Sequence, residues 1–228
     1  MASFSYFNSK KSGCVEAYGL GFVTTMSNLF IGLAGSATSG KDTFYNLAKG
    51  IIKSKLGRNL IRFALADELK EELRKPLINK YNIDILNCTS TEKEKVRPDI
   101  VSYAKIKRVE TLGRCWIDKL NKKIKKYESS KDYRSDDVFC ITDIRHFQYE
   151  KDEVHWLKVE MGGVFIYIDK FYKEINENRE FVNNEEFKND SGLRSSADYT
   201  VRWKHGDTND NLLSQVNKSL TYLEYVLR

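Results

Sequence analysis

Leu29-Phe30-Ile31-Gly32-Leu33-Ala34 is an apolar run of strand length, and Gly35-Ser36-Ala37-Thr38-Ser39-Gly40-Lys41-Asp42-Thr43 follows it directly. Behind this turn Phe44, Leu47, Ala48, Ile51, Ile52 and Leu56 recur at intervals of three and four, which predicts an amphipathic helix with one buried stripe. A buried strand, a glycine-rich turn and a helix in that order are the setting of a phosphate-binding loop. The glycines let the backbone wrap so that its N–H groups converge, and the helix N-terminus adds partial positive charge. Gly35, Ser39, Gly40 and Lys41 are the expected cradle, with Lys41 reaching the outer phosphates of a nucleoside triphosphate. The residue after the lysine is ordinarily Ser or Thr, whose hydroxyl ligates magnesium; here it is Asp42, with Thr43 one later. A carboxylate beside a triphosphate repels it unless a cation lies between them, so this variant implies metal.

The 228 residues suffice for one domain with a full core. With 41% hydrophobic and 31% charged residues the chain reads as soluble and globular. No apolar run approaches the ~20 residues of a membrane span. The net charge of +6 suits an anionic ligand but is weak support for nucleic acid. Cys14, Cys88, Cys115 and Cys140 have no paired spacing for zinc or redox work, so free thiols in a reducing cytosol are expected. Three histidines, His146, His155 and His205, exclude a histidine-rich metal site. Residues 1–28 are too polar and glycine-rich for a secretory signal and are expected to be a weakly ordered extension, or to reflect an upstream start ahead of Met26.

Further strands are expected at 59–64, 138–142, 164–168 and 199–203, each separated by helical patterns. Asp67 is the expected cap of the second helix, with Pro76 kinking or ending it. Residues 81–97 read as irregular, Pro98 as a helix start, and Cys115 to Tyr127 as a helix whose lysines face solvent. Tyr149 to Glu160 is expected to be helical, 170–196 to be a mobile lid, and 207–223 a final helix capped by Asp207 or Thr208. The alternation predicts an α/β fold: three layers, with a five-stranded parallel sheet covered by helices on both faces.

Ligands of such sheets gather at the carboxyl ends of the strands. That rule selects Asp67 and Lys70 after the second strand, and Asp143 and Arg145 after the third. Asp143 is placed to hold magnesium or to cap a helix or turn, and Arg145 offers a fork for phosphate. Arg97, Arg108 and Arg114 are candidate phosphate ligands, and Lys173, Arg179 and Arg194 are candidates from the lid, with Arg179 the first choice.

The stretch from Leu29 to about Leu223 resembles the bacteriophage deoxynucleoside monophosphate kinases, within the P-loop kinases. The resemblance rests on Ser39-Gly40-Lys41-Asp42-Thr43, Phe63-Ala64-Leu65-Ala66-Asp67-Glu68-Leu69-Lys70, Arg97-Pro98, Gly113-Arg114-Cys115-Trp116, Thr142-Asp143-Ile144-Arg145 with Glu150, Trp156 and Gly162-Gly163, and Asp198-Tyr199. Where that family continues Phe-Pro-Asn-Glu after Asp-x-Arg, this chain has His146-Phe147-Gln148-Tyr149-Glu150.

The resemblance implies transfer of the γ-phosphate of ATP to a deoxynucleoside monophosphate. Lys41 would hold the β- and γ-phosphates, and Mg²⁺ would sit near Asp42, Thr43 and Asp143. Asp67, Lys70, Arg97, Arg108, Arg114, Trp116 and Glu150 would surround the acceptor, whose site is an insertion at about 65–130. The segment from Lys204 to Asn209 would pack on adenine. Small nucleotides are the expected partners, without nucleic acid or membrane; a homodimer is compatible, and the expected location is the cytoplasm, that of a host if the chain is viral. Two other readings stay open: a P-loop kinase with a hydroxyl acceptor, in which Asp143 would be the base, and a nucleotide-sensing protein without turnover.

Overall fold

The structure, a computed structural model, describes residues 28–175, 178–181 and 190–226, with side chains at 173–180 and 223–226 outside that description. The extension expected at residues 1–28 therefore lies outside it except for Asn28, whose amide donates to Glu128 and to the Tyr133 hydroxyl.

β1 (Leu29–Ala34) is the middle strand, and all but its first residue are buried. It pairs in parallel with β3 (Val138–Ile141) on one edge and β4 (Val164–Ile175) on the other. β2 (Leu60–Phe63) lies outside β3, and β6 (Tyr199–Lys204) lies alongside β4, both parallel. The five parallel strands thus run β2-β3-β1-β4-β6, and the order reverses at β1. That is the topological switch where an open sheet receives ligands.

Helices cover both faces, as the alternating pattern requires. On one, α1 (Lys41–Leu56) and α7 (Asn209–Val226) set Phe44, Ala48, Ile51, Val216 and Leu220 against Ile31, Leu33 and Ile166. On the other, α4 (Cys115–Glu128) sets Ile117, Leu120 and Ile124 against Phe30, Phe139 and Phe165. Edge-to-face contacts join Phe139 to Phe30 at 5.2 Å and to Phe63 at 5.4 Å. No helix among the described residues is long and apolar enough to cross a membrane, and Cys88, Cys115 and Cys140 are free thiols.

Several elements differ from the expectation, each for a local reason. α2 (Leu65–Tyr81) starts before Asp67 and continues through Pro76. The segment read as irregular ends in α3 (Ser90–Glu110), which holds Pro98 in its interior. Its start is a capping box: Glu92 N–H donates to Thr89 Oγ1 at 3.2 Å, and Thr89 N–H donates to Glu92 Oε2 at 2.8 Å. The expected helix at 149–160 is a single turn, α5 (Glu153–His155), running into a π-helical turn (Trp156–Glu160).

The lid region begins as ordered sheet. β4 extends seven residues beyond Ile168, because β6 pairs with it as far as Phe171, and β5 (Asn178–Phe181) then pairs with it antiparallel. α6 (Ser191–Ser196) follows, and residues 182–189 lie outside the described set.

Thr89→Ala removes the hydroxyl that accepts the Glu92 N–H and donates to the Glu92 carboxylate, leaving only the main-chain half of the α3 cap. It is expected to lower stability by about 1 kcal/mol, seen as a fall of roughly 2–4 °C in thermal denaturation.

Candidate functional site

The chain leaves β1 in mid-sheet through a turn in which Gly35 (φ 139°) and Gly40 (φ 98°) have positive φ. A Cβ on Gly35 would lie 2.5 Å from the Ile168 carbonyl oxygen, and one on Gly40 would lie 2.5 Å from Cζ2 of Trp203. Glycine is required at both places by dihedral and by space. Trp203 comes from β6 and is buried beneath the turn; its indole N–H donates to the Ser39 carbonyl at 2.8 Å. Lys41 donates from Nζ to the carbonyls of Gly35 at 2.7 Å and Ser36 at 2.9 Å, so its ammonium lies over the turn.

This turn fits a phosphate group. α1 begins at Lys41 immediately behind it. Ser39 is fully buried, and its Oγ has no hydrogen-bond partner. Backbone curvature, helix start, ammonium and orphaned hydroxyl converge on one small volume. Asp42 and Thr43 are exposed in the first turn of α1, at the rim. Among the described residues no three acidic, histidine or cysteine side chains form a metal cluster. A magnesium ion carried by a nucleotide does not need one, since one or two carboxylates and phosphate oxygens hold it.

Asp143 follows β3 beside this turn. Its Oδ1 accepts the Leu65 N–H at 2.8 Å and its Oδ2 the Ala66 N–H at 2.7 Å. It therefore caps α2 from across the sheet, the task expected of Asp67. Burial raises its pKa against the pull of those two N–H groups.

Asp67 instead accepts from Arg62 at 2.9 Å and Lys70 at 3.3 Å. Burial pushes its carboxyl upward, but the hydrogen bonds and charges of Arg62 and Lys70 together outweigh that and hold it below the usual range. Arg62, on β2, also feels the charges of Asp143 and Asp42.

Arg145 is exposed beside Asp143, and the backbone there is tied to β1 by the Ile144 N–H donating to the Leu33 carbonyl at 3.0 Å. The loop that follows closes on two buried acids. Glu153 Oε2 accepts the N–H groups of Arg145 at 2.7 Å and His146 at 3.1 Å. Asp152 accepts those of Gln148 (3.2 Å), Tyr149 (3.3 Å) and Glu153 (3.0 Å). Burial, reinforced by Asp143, pushes Glu153 up to about 8. Burial and then Arg108 push His146 down to about 4, so its imidazole is neutral at pH 7.

The arginines proposed as phosphate ligands have other partners. Arg108 is buried and bidentate on Asp152 at 2.8 and 3.1 Å, with Gln148 at 3.2 Å; it braces the loop. Arg114 is engaged by Glu160 at 2.6 Å and Asp118 at 3.3 Å. Arg97 is exposed and pairs with Glu94 one turn back. Trp116 is a core residue, packed on Tyr103, with the Lys119 ammonium over its ring. Glu150 is exposed, and the buried acids of this loop are Asp152 and Glu153, two and three residues later. Arg179 lies on β5 opposite Glu174, and its side chain is outside the described set.

The residues not foreseen are Trp203, Arg62, Asp152 and Glu153. Trp203 carried a signal, being the bulky residue that ends an apolar strand at the carboxyl edge of the sheet. The two acids had none, because their partners are backbone groups and a distant arginine.

The sequence matches no protein-family model, and no curated protein matches it. Among solved structures the fold is similar to a dephospho-CoA kinase from Campylobacter jejuni, at 16% identity over 89% of this chain and 99% of that one, with a TM-score of 0.44. It is also similar to TT1252 from Thermus thermophilus, at 14% identity over 86% and 97% of the two chains, again with a TM-score of 0.44. Likenesses at this level carry no weight on activity, which is argued from this chain's own residues.

Gly40→Ala adds a methyl group against Trp203 at positive φ. It is expected to weaken ATP binding about tenfold or more by calorimetric titration, while far-UV dichroism stays unchanged. Glu153 generates a pH effect of definite sign. With its folded pKa raised from 4.5 to about 8, its contribution to stability is fully present below pH 4.5 and is lost as pH rises through 8. Glu153→Gln is expected to flatten the decline in melting temperature across that window.

Proposed function

We propose that this protein is an ATP-dependent phosphotransferase that moves the γ-phosphate of ATP to a deoxynucleoside monophosphate. The observation that carries this reading is the turn at 35–41, where Gly35, Gly40 and the buried Trp203 hold a cradle under the Lys41 ammonium. In the proposed reaction Lys41 leaves the carbonyls of Gly35 and Ser36 for the β- and γ-phosphates, and the loop N–H groups hold the β-phosphate. Asp42 and Thr43 would hold a magnesium ion, which would offset phosphate charge, with Asp143 behind them as the cap of α2. Arg145 would neutralise charge on the transferring group. Asp67, held by Arg62, and Lys70, held by Asp67, would face the acceptor.

The state of Asp143 favours a phosphate over a hydroxyl acceptor. A hydroxyl must lose its proton to a base, and both Asp143 oxygens are engaged by main-chain N–H groups of α2. A monophosphate acceptor is already anionic, so positioning and charge neutralisation suffice.

A coupled ADP-release assay with each natural monophosphate in turn tests the proposal. Turnover with at least one deoxynucleoside monophosphate is expected, and Lys41→Ala is expected to reduce it by about 100-fold or more with the fold intact. Phosphorylation of dephospho-coenzyme A or a sugar, with all nucleotides ignored, would replace the reading by the hydroxyl-acceptor one. Tight ATP binding without ADP release for any acceptor would replace it by a nucleotide sensor.

A further inference from the structure

The loop 145–153 presents an unusual arrangement: five main-chain N–H groups directed at two adjacent, nearly inaccessible carboxylates. Glu153 takes Arg145 and His146, and Asp152 takes Gln148, Tyr149 and Glu153 itself. Both acids are almost without solvent contact, at 3% and 0% exposure. Their counter-charge comes from another element, since Arg108 of α3 is bidentate on Asp152 and lies 3.6 Å from Glu153 Oε1. The fit is close around Asp152 as well: a Cβ on Gly113, at the end of α3, would lie 2.7 Å from its Oδ1.

Burying two carboxylates is costly unless each is hydrogen-bonded and paired. Apolar packing anchors only the ends of the loop, through Ile144 before it and Val154, Trp156 and Leu157 after it. What the acids add is direction. The Arg145 side chain is exposed, so beyond the buried Ile144 before it the course of its backbone rests on main-chain hydrogen bonds. That backbone is held between two hydrogen bonds, Ile144 N–H to Leu33 at the end of β1 and Arg145 N–H to Glu153. The first ties it to the strand that carries the phosphate turn; the second ties it to Glu153, whose other oxygen lies 3.6 Å from Arg108 of α3.

We propose that Glu153 is the positioning residue of Arg145, with Arg108 of α3 as its distant brace, so that α3 and the arginine beside the phosphate turn are held as one unit. This rests on the phosphotransfer reading for the role of Arg145, but not for the strut itself. Glu153 touches no substrate and acts only through the main chain it holds. Arg108, read from sequence as a ligand of substrate, belongs to this strut.

Two substitutions separate the roles. Glu153→Met keeps the volume and removes the acceptor; Glu153→Gln keeps an acceptor oxygen. The expected result is a fall in kcat of about 10- to 100-fold for Glu153→Met with the KM for ATP unchanged, and recovery to within about threefold in Glu153→Gln. In an Arg145→Ala background, Glu153→Met is expected to cost nothing further, because both changes remove the same contribution.

Amide exchange reads the strut without turnover: the Arg145 and His146 amides are expected to be protected in the wild type and to exchange about tenfold faster or more in Glu153→Met. Unprotected amides in the wild type, or a kcat loss equally large with and without Arg145, would overturn the proposal. A wild-type protein that phosphorylates no acceptor, yet protects both amides and loses that protection in Glu153→Met, would leave the strut standing and remove the phosphotransfer reading.

Discussion

The contact between Trp203 and the turn at Gly40 is the constraint from which the rest of the site follows. A turn that directs its N–H groups inward leaves its carbonyls outward, and the Ser39 carbonyl would be buried without a donor if the indole N–H did not reach it at 2.8 Å. The indole also occupies the space of a Cβ at Gly40. One side chain from the edge strand therefore satisfies the outer surface of the turn and fixes its curvature. Because β6 pairs with β4 and β4 with β1, the turn is anchored to both its own strand and one two places away.

The polar groups around the turn share a pattern in which backbone amides are held by carboxylates from remote sequence. Asp143 holds the start of α2, Glu153 the loop after β3, and Asp152 the remainder of that loop. Where the acid is held ionised, as Arg108 holds Asp152, such bonds are worth more than neutral ones, and breaking one leaves a buried charge. They give a sheet edge made of loops the rigidity that packing cannot, since loop backbone must find partners for its own polar groups. The opposing pressures on Glu153 and Asp143, burial against hydrogen bonding, follow from using acids as caps in a site with little water.

What could be read from the chain follows the range of each interaction. β1, the turn and α1 are contiguous and local in their rules, so their pattern was legible and the parallel sheet with helices on both faces followed from the alternation. The α3 start was legible as well: Thr89-Ser90-Thr91-Glu92 is a capping box, and the weight given to Pro98 obscured it. Arg108 and Asp143 mark the limit. An arginine in a site sequence looks the same whether it faces phosphate or an aspartate 44 residues on, and an aspartate ending a strand looks the same whether it meets solvent or a helix start 77 residues back. Tertiary contact decides each, and no spacing rule reports it.

Asp42 ties these threads to the chemistry. In the first turn of α1 its carboxylate is favoured by the helix dipole, so an aspartate there does not oppose folding. It does oppose an incoming triphosphate, and relief has to come from a cation. Arg62 feels Asp42 but is hydrogen-bonded to Asp67, which also holds Lys70. Drawing Arg62 away would leave Asp67 with Lys70 alone, at 3.3 Å, at the edge where the acceptor is proposed to bind. Lys41 has to serve the phosphates themselves. Under the proposed phosphotransfer reading the remaining solution is a cation that arrives with the nucleotide, and a carboxylate in place of a hydroxyl at position 42 would make nucleotide affinity depend more steeply on that metal than a serine would.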